Sequence, residues 1–205
     1  MSNISLNDLR FVPQCGGGGN LSADFEALFR EMEDAHGELT RIPEACVRNW
    51  GAEICLALDE LHRLGLLWGD FNPRNILMDE KGHVLLTYVG QLPAQDDAVD
   101  EEARAQLYVA PEVSRTGAVS AASDWWSVGA VLFEMLIGTT LVEKYPDGFH
   151  AHTEIEEFPD HVSAEARALL RDLLKFHPHC RLGAGQGGFD EIKSHPFFEG
   201  ILWPE

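Results

Sequence analysis

The sequence predicts a mainly helical domain of the α+β class that contains one small β hairpin. Several segments place apolar residues three and four positions apart, which is the period of an amphipathic helix. Two short apolar runs, NILMD and HVLLTY, are separated by the turn-forming sequence EKG, which indicates a hairpin. The 205 residues are 45% hydrophobic and 24% charged, the composition of one globular domain with a sizeable core.

The first 39 residues are predicted to be a short prefix to this domain. The sequence LRFV near the start is a candidate strand, and the following PQCGGGGN has the composition of a turn or linker. Residues 22–37 predict an amphipathic helix that is capped by Ser22 and ended by Gly37. Its apolar face is formed by Phe25, Leu28, Phe29 and Met32.

A second helix is predicted from Pro43 to about Arg63. Proline suits the first turn of a helix, and Gly65 lies where a left-handed residue often ends one. The face predicted to be buried consists of Val47, Trp50, Ile54, Leu58 and Leu61.

Beyond the hairpin, residues 91–106 are acidic and resemble a loop. Residues 123–138 are apolar on nearly every side, which predicts a buried central helix. Residues 141–160 suggest irregular structure, and Ser163 is predicted to cap a helix that runs through residues 164–176. The remaining tail predicts a loop, a short helix and a proline-terminated end.

Composition excludes several classes of protein. The net charge is −19, from 34 acidic and 15 basic residues, which disfavours nonspecific binding to nucleic acid or to an anionic membrane surface. The N-terminus has neither the basic nor the apolar region of a signal peptide, and no apolar run reaches the length of a membrane span. A cytoplasmic location is therefore expected.

Cysteine and histidine positions indicate no metal site. Spacing between the cysteines gives no CxxC pair, which predicts reduced thiols at Cys15, Cys46, Cys55 and Cys180. Four histidines show no pairing that suggests a metal site and are interpreted as loop residues: His62, His177, His179 and His195.

Four segments occur in the order and at the separations of one known family. GDFNPRN resembles the catalytic loop of a protein kinase, and YVAPEV resembles the A-P-E motif that ends the activation segment. SDWWSVG resembles the start of the central helix in the AGC group, and CRLGAGQGGFDEIKSHPFF resembles the end of the AGC carboxy lobe. The resemblance covers roughly residues 42–203.

This resemblance implies a protein-kinase-like carboxy-terminal lobe at residues 40–203, with the amino lobe missing or vestigial. The prefix, residues 1–39, would then supply a hinge strand, a glycine linker and the first helix of the lobe. The same segments are similar to the ribosomal S-six kinase-like subfamily, whose members are atypical kinases or pseudokinases. Longer members carry lipid- and vesicle-associated modules and are recruited to endosomes, but these 205 residues contain no recognisable module of that kind.

The resemblance assigns roles within the loop. Asp70 takes the position of the catalytic base, and Asn75 that of the metal-binding asparagine. Asn72 replaces the lysine that would contact the γ-phosphate. Arg74 is a candidate partial substitute, because some tyrosine kinases place an arginine there. Gly69 replaces the arginine that would bind a phosphorylated activation segment. Phosphorylation of that segment would therefore find no arginine at this position to pair with.

The metal position differs most from the family pattern. Eighteen residues after Asp70, where the family has the aspartate of D-F-G, the chain has Tyr88. Magnesium prefers carboxylate ligands, and a phenol is neutral at pH 7. CGGGGN lacks the G-x-G-x-x-G form and is interpreted as a linker.

Three further residues have structural roles by resemblance. Glu112 and Arg181 match a buried ion pair, and Asp124 matches a central-helix aspartate that accepts hydrogen bonds from the catalytic loop. Their presence supports the fold and says little about activity.

Two functional hypotheses remain open from the sequence. In the first, the domain is a pseudokinase scaffold with no cofactor and with protein partners, among them a polypeptide that supplies an amino lobe. In the second, it is an active or weakly active serine/threonine kinase, or a fragment of one, that uses ATP and magnesium. An unrelated helical interaction domain would require four ordered motifs to coincide by chance.

Overall fold

A computed structural model describes residues 41–79, 82–86 and 104–204. The candidate strand LRFV, the linker, the helix at residues 22–37 and Tyr88 all lie outside these described residues. The helices are α1 (Glu44–Arg63), α2 (Pro111–Thr116), α3 (Ala121–Ile137), α4 (Leu141–Lys144), α5 (Ala164–Leu173) and α6 (Phe189–Lys193). Short 3-10 helices occur at Pro73–Asn75, Pro178–Cys180 and Pro196–Phe198, and strands are β1 (Ile76–Met78) and β2 (Val84–Leu86). The predicted mainly helical fold with one small hairpin is confirmed.

Helix α3 forms the centre of the domain and contacts both α1 and α5. Fourteen of its residues are buried, including the adjacent Trp125 and Trp126, as expected for a helix that is apolar nearly all round. Glycine permits the close approach to α5, because a Cβ atom at Gly129 would lie 2.9 Å from the Cβ of Leu173. The core is therefore arranged around α3, and the loops that contact its N-terminal end pack against a buried helix.

The hairpin is attached to α1 through side chains. Strands β1 and β2 pair antiparallel, with Leu77 opposite Leu85. The Trp50 Nε1–H donates to the carbonyl of Gly82 at 3.0 Å, and Glu53 accepts from the Val84 N–H at 2.7 Å. These contacts fix the hairpin, and with it the 3-10 helix Pro73–Asn75 that leads directly into β1.

Several predicted boundaries were wrong by a few residues. Helix α3 begins at Ala121, because Ser120 and Ser123 form a reciprocal capping box that starts the helix two residues earlier. Pro43 is the N-cap of α1 and precedes its first turn. Ser163 caps α5 as predicted, accepting from the Ala166 N–H at 3.0 Å, but the helix ends at Leu173.

Two other expectations were wrong. The region predicted to be irregular contains α4, which begins at a capping box formed by Thr140 and Glu143. His62 lies in the last turn of α1 and is not a loop residue, whereas His195 does lie in a turn, where it is buried just before the last 3-10 helix.

Cys55 is a buried free thiol and Cys180 an exposed one. Burial raises the pKa of the Cys55 thiol well above its ordinary value.

Within the part of the chain that the structure describes, no helix is both long and apolar enough to cross a membrane.

Candidate functional site

The candidate site is the loop between α1 and β1, residues 68–75. Helix α1 ends at Arg63, and two residues later Gly65 has a φ of +75°, in the left-handed region that glycine readily adopts. Trp68 and Phe71 are each only 1% exposed and meet edge to face, with ring centroids 5.8 Å apart. These two buried aromatic anchors lie on either side of Asp70, which is half-buried.

Asp124 fastens the start of this loop to the central helix. Its carboxylate is fully buried and accepts from the Trp68 N–H at 2.9 Å and from the Gly69 N–H at 2.8 Å. His62 Nε2 lies 2.8 Å from the same carboxylate. Sequence reasoning missed this contact, although the position of His62 in the last turn predicted for α1, just before the loop, was a usable signal.

Asp70 is surrounded by asparagine amides from its own loop. The Asn75 Nδ2–H donates to the carbonyl of Asp70 at 2.9 Å. Asn72 Nδ2 donates to that carbonyl and to Asp70 Oδ1, each at 3.1 Å. Asn72 is 2% exposed, whereas Arg74 is exposed on the 3-10 helix that follows. The structure therefore brings three of the predicted site residues together.

Glu112 and Arg181 form an ion pair at the base of the domain. Arg181 NH1 and NH2 donate to the two Glu112 carboxylate oxygens at 2.7 and 3.1 Å, which is a bidentate geometry. The Arg181 side chain is completely buried, and its remaining donors reach the carbonyls of Ala122 and Lys175. This pair joins α2 to the loop after α5.

A second buried polar contact joins the segment before α2 to helix α3. The Tyr108 hydroxyl donates to Glu134, and both side chains are buried. Burial, reinforced by Glu134, raises the pKa of Tyr108, and the positive charge of Arg74 opposes that increase. Burial also raises the pKa of Glu134, and the hydrogen bond from Tyr108 opposes that shift in part.

Comparison with known proteins identifies the family. The profile of the protein kinase domain matches residues 23–198 of this chain. The chain belongs to the protein kinase family. The four ordered motifs and the position of the 68–75 loop are consistent with that membership, and the resemblance stated from the sequence is confirmed.

Ribosomal S6 kinases are among the similar proteins. The chain is 44% identical over 191 residues to ribosomal protein S6 kinase delta-1 of Mus musculus, covering 92% of this chain and 18% of that protein. Identity to the Homo sapiens protein of the same name is 49% over 184 residues, covering 89% and 17%. Ribosomal protein S6 kinase-like 1 of Mus musculus is 46% identical over 160 residues, covering 78% and 29%. The chain therefore spans less than a third of the length of these relatives.

The kinase family suggests ATP and magnesium as cofactors, and the position of Tyr88, where the resemblance expects the second metal ligand, lies outside the described residues. Within residues 41–79, 82–86 and 104–204, no group of three or more histidine, cysteine, aspartate or glutamate residues is placed to hold a metal ion. Asp79 accepts from the His83 N–H inside the hairpin turn. Asn72 Oδ1 accepts from the Arg74 N–H at 3.1 Å, so both side chains take part in hydrogen bonds within their own turns.

The glycine-rich segment 183–188 is a structural turn that a carboxylate of the same chain already fills. Glu191 accepts from the Gly183 N–H at 3.2 Å and from the Gly187 N–H at 3.1 Å. A Cβ atom at Gly185 would clash with Glu191 Oε1. Because Glu191 occupies the position that an anionic ligand would need, this segment is not a phosphate site.

Replacing Glu134 with glutamine is expected to increase stability at neutral pH by about 1 kcal/mol, within the range that burial of a polar group costs. Because burial raises the pKa of Glu134, the native state favours the neutral carboxyl. Relative to high pH, the raised pKa therefore stabilises the native state against unfolding. This contribution is fully present below the ordinary pKa of 4.5 and is lost as the pH rises through the higher pKa of the native state. Glutamine keeps an oxygen acceptor for Tyr108 without the charge.

Thermal unfolding of both proteins from pH 4 to pH 8 measures this effect. The stability difference should grow as the pH rises above 4.5, whereas the exposed control Glu199→Gln should change little at any pH. A difference that is constant with pH would show that the charge on Glu134 is not the cause.

Proposed function

We propose that this domain is a pseudokinase, a kinase-like binding module that acts as a protein scaffold without transferring phosphate. The observation that carries the proposal is Tyr88, which stands where the resemblance places the metal-binding aspartate. A phenol has an ordinary pKa of about 10 and is a poor magnesium ligand at pH 7. Loss of one electrostatic stabiliser typically lowers a rate by about 100- to 1000-fold, and loss of the metal should lower it further.

The loop geometry supports the same proposal. In the family pattern, a lysine at position 72 would place a positive charge at the γ-phosphate. The neutral Asn72 directs its amide to Asp70 instead and is 2% exposed. Phosphate transfer depends mainly on positioning and charge neutralisation, and here both the metal ligand and the cation differ from the pattern.

The test is a thermal-shift titration of the chain with ATP, with and without magnesium. We expect no magnesium-dependent increase in the melting temperature at millimolar ATP. A ligand at a hundredfold excess over its Kd would stabilise the native state by about 2.7 kcal/mol, which such a titration detects. A magnesium-dependent increase in the wild type would contradict the proposal, and Tyr88→Asp provides the matched variant with a restored carboxylate.

A weakly active ATP-dependent serine/threonine kinase is the second candidate. Asp70 and Asn75 retain the residue types of the family pattern, and the Asn75 amide donates to the Asp70 carbonyl at 2.9 Å. This candidate predicts magnesium-dependent phosphate transfer that Asp70→Asn abolishes. Activity that survives Asp70→Asn would point to a contaminating kinase.

Partners and location follow from the scaffold proposal. We propose protein partners in the cytoplasm, among them a polypeptide that contributes an amino lobe. The net charge of −19 disfavours nucleic acid as a partner. Endosomal recruitment would require modules of the kind carried by longer subfamily members.

A further inference from the structure

The side chain of Asn72 is fully committed to its own loop. Its Oδ1 accepts from the Arg74 N–H at 3.1 Å and so caps the 3-10 helix Pro73–Asn75. Its Nδ2 donates to the carbonyl of Asp70 and to Asp70 Oδ1, each at 3.1 Å. A primary amide has two N–H hydrogens, so Asn72 has no donor left for a phosphate oxygen.

Neighbouring groups determine the orientation of this amide. In the reversed orientation, the NH2 group would face the Arg74 N–H, which is itself a donor. The amide oxygen would then face the carbonyl and the carboxylate of Asp70, which are both acceptors. Every contact would become repulsive, so the hydrogen-bonding pattern supports only the orientation described.

We propose that Asn72 is a positioning residue that holds Asp70 and the 68–75 loop in one conformation whether or not magnesium and ATP are present. This inference rests on the proposed function, because it explains how a binding module presents a constant surface without a nucleotide. A lysine at this position could not accept from the Arg74 N–H and would carry a charge that needs a partner. Where the family's lysine would contact the phosphate, Asn72 therefore makes hydrogen bonds within its own loop.

The start of the loop is also fixed, by its backbone conformation and by hydrogen bonds to helix α3. Gly69 has a φ of +76°, a conformation that other residues adopt only with strain, and a Cβ atom there would lie 3.3 Å from Val119 Cγ1. Asp124 accepts from the Trp68 and Gly69 N–H groups, as described above. With Asp124 at its start and Asn72 within it, the loop is ordered by hydrogen bonds of this chain.

The test compares Asn72→Ser with Asn72→Ala by amide hydrogen exchange in NMR spectra. Serine keeps an acceptor that can cap the Arg74 N–H but is too short to reach Asp70, whereas alanine removes both functions. Asn49→Ser on the exposed surface of α1 is the matched control. Exchange at the Gly69 and Asn75 amides reports the loop, and exchange at Leu132 in α3 reports global opening.

We expect Asn72→Ser to increase exchange at Gly69 and Asn75 by about 10- to 100-fold, the effect of losing one hydrogen bond to a charged group. Exchange at Leu132 should rise less, and Asn72→Ala should also expose the Arg74 amide. In the wild type, the Asn72 side-chain NH2 resonances should exchange more slowly than those of Asn49. Unchanged loop exchange in Asn72→Ser, or equal exchange of the two side-chain amides, would overturn the proposal.

The wild type with and without millimolar magnesium and ATP provides a test that needs no variant. Loop exchange should change by less than about twofold, since one hydrogen bond would alter it far more. Loop protection that appears only with the nucleotide would overturn the inference. A higher melting temperature with unchanged loop exchange would instead contradict the pseudokinase proposal and leave the role of Asn72 intact.

Discussion

Arg181→Ala is expected to lower the free energy of unfolding by about 3–5 kcal/mol, the range for breaking a buried ion pair from one side. The Arg181 side chain is completely buried, and its removal leaves the Glu112 carboxylate, which is 18% exposed, without its bidentate partner. The carbonyls of Ala122 and Lys175 lose a donor as well. The Arg181 guanidinium also lies 5.2 Å from the centroid of the Trp126 ring, so packing is lost together with charge.

Urea unfolding followed by circular dichroism measures this loss. Arg63→Ala is the matched control, because Arg63 pairs with Glu60 on the surface of α1 with a 68% exposed side chain, and it should change stability by less than about 1 kcal/mol. Arg181→Lys should recover only part of the loss, since an ammonium group cannot reproduce the bidentate contact. A loss below about 1 kcal/mol for Arg181→Ala would show that the pair does not support the fold.

Asp124→Asn is expected to cost about 3 kcal/mol or more, because a buried carboxylate that serves three groups loses one acceptor oxygen and its charge. One oxygen accepts from the Gly69 N–H, and the other lies near both the Trp68 N–H and His62 Nε2. In either orientation of an asparagine amide, its NH2 group would face at least one backbone donor. The start of the 68–75 loop should therefore detach from α3.

The same unfolding experiment, combined with exchange at the Gly69 amide, checks this prediction. Asp160→Asn is the control, because Asp160 is exposed and its substitution should be nearly neutral. A variant that kept both the wild-type stability and the slow exchange at Gly69 would exclude Asp124 as the anchor of the loop. His62→Gln should give a smaller loss, since the two backbone donors would keep their acceptor.

Local chemistry explains why much of the fold was predictable. Gly65 and Gly138 end helices with φ angles of +75° and +84°, values that glycine adopts without strain. Ser163 supplies a side-chain acceptor at the start of α5, and the apolar period of α1 matches its buried face. These signals act within a few residues, so they are readable without knowledge of the tertiary structure.

Boundary errors also have a local cause. The helix α4 begins at a T-x-x-E capping box, Thr140 to Glu143, inside a stretch whose prolines and glycine suggested irregular structure. The start of α3 was misplaced because Ser120 and Ser123 are both plausible caps, and only their reciprocal hydrogen bonds show which residue is outside the helix.

The sequence alone determined the class of the domain, the order of its elements and the residue types at the loop, including Tyr88 in place of an aspartate. Tertiary structure decided what those residue types do. His62 meets Asp124 across 62 positions of sequence, Arg181 meets Glu112 across 69, and the Asn72 amide turns toward Asp70. Such contacts depend on how α1, α3 and the loop pack against one another, and residue spacing carries no direct record of that packing.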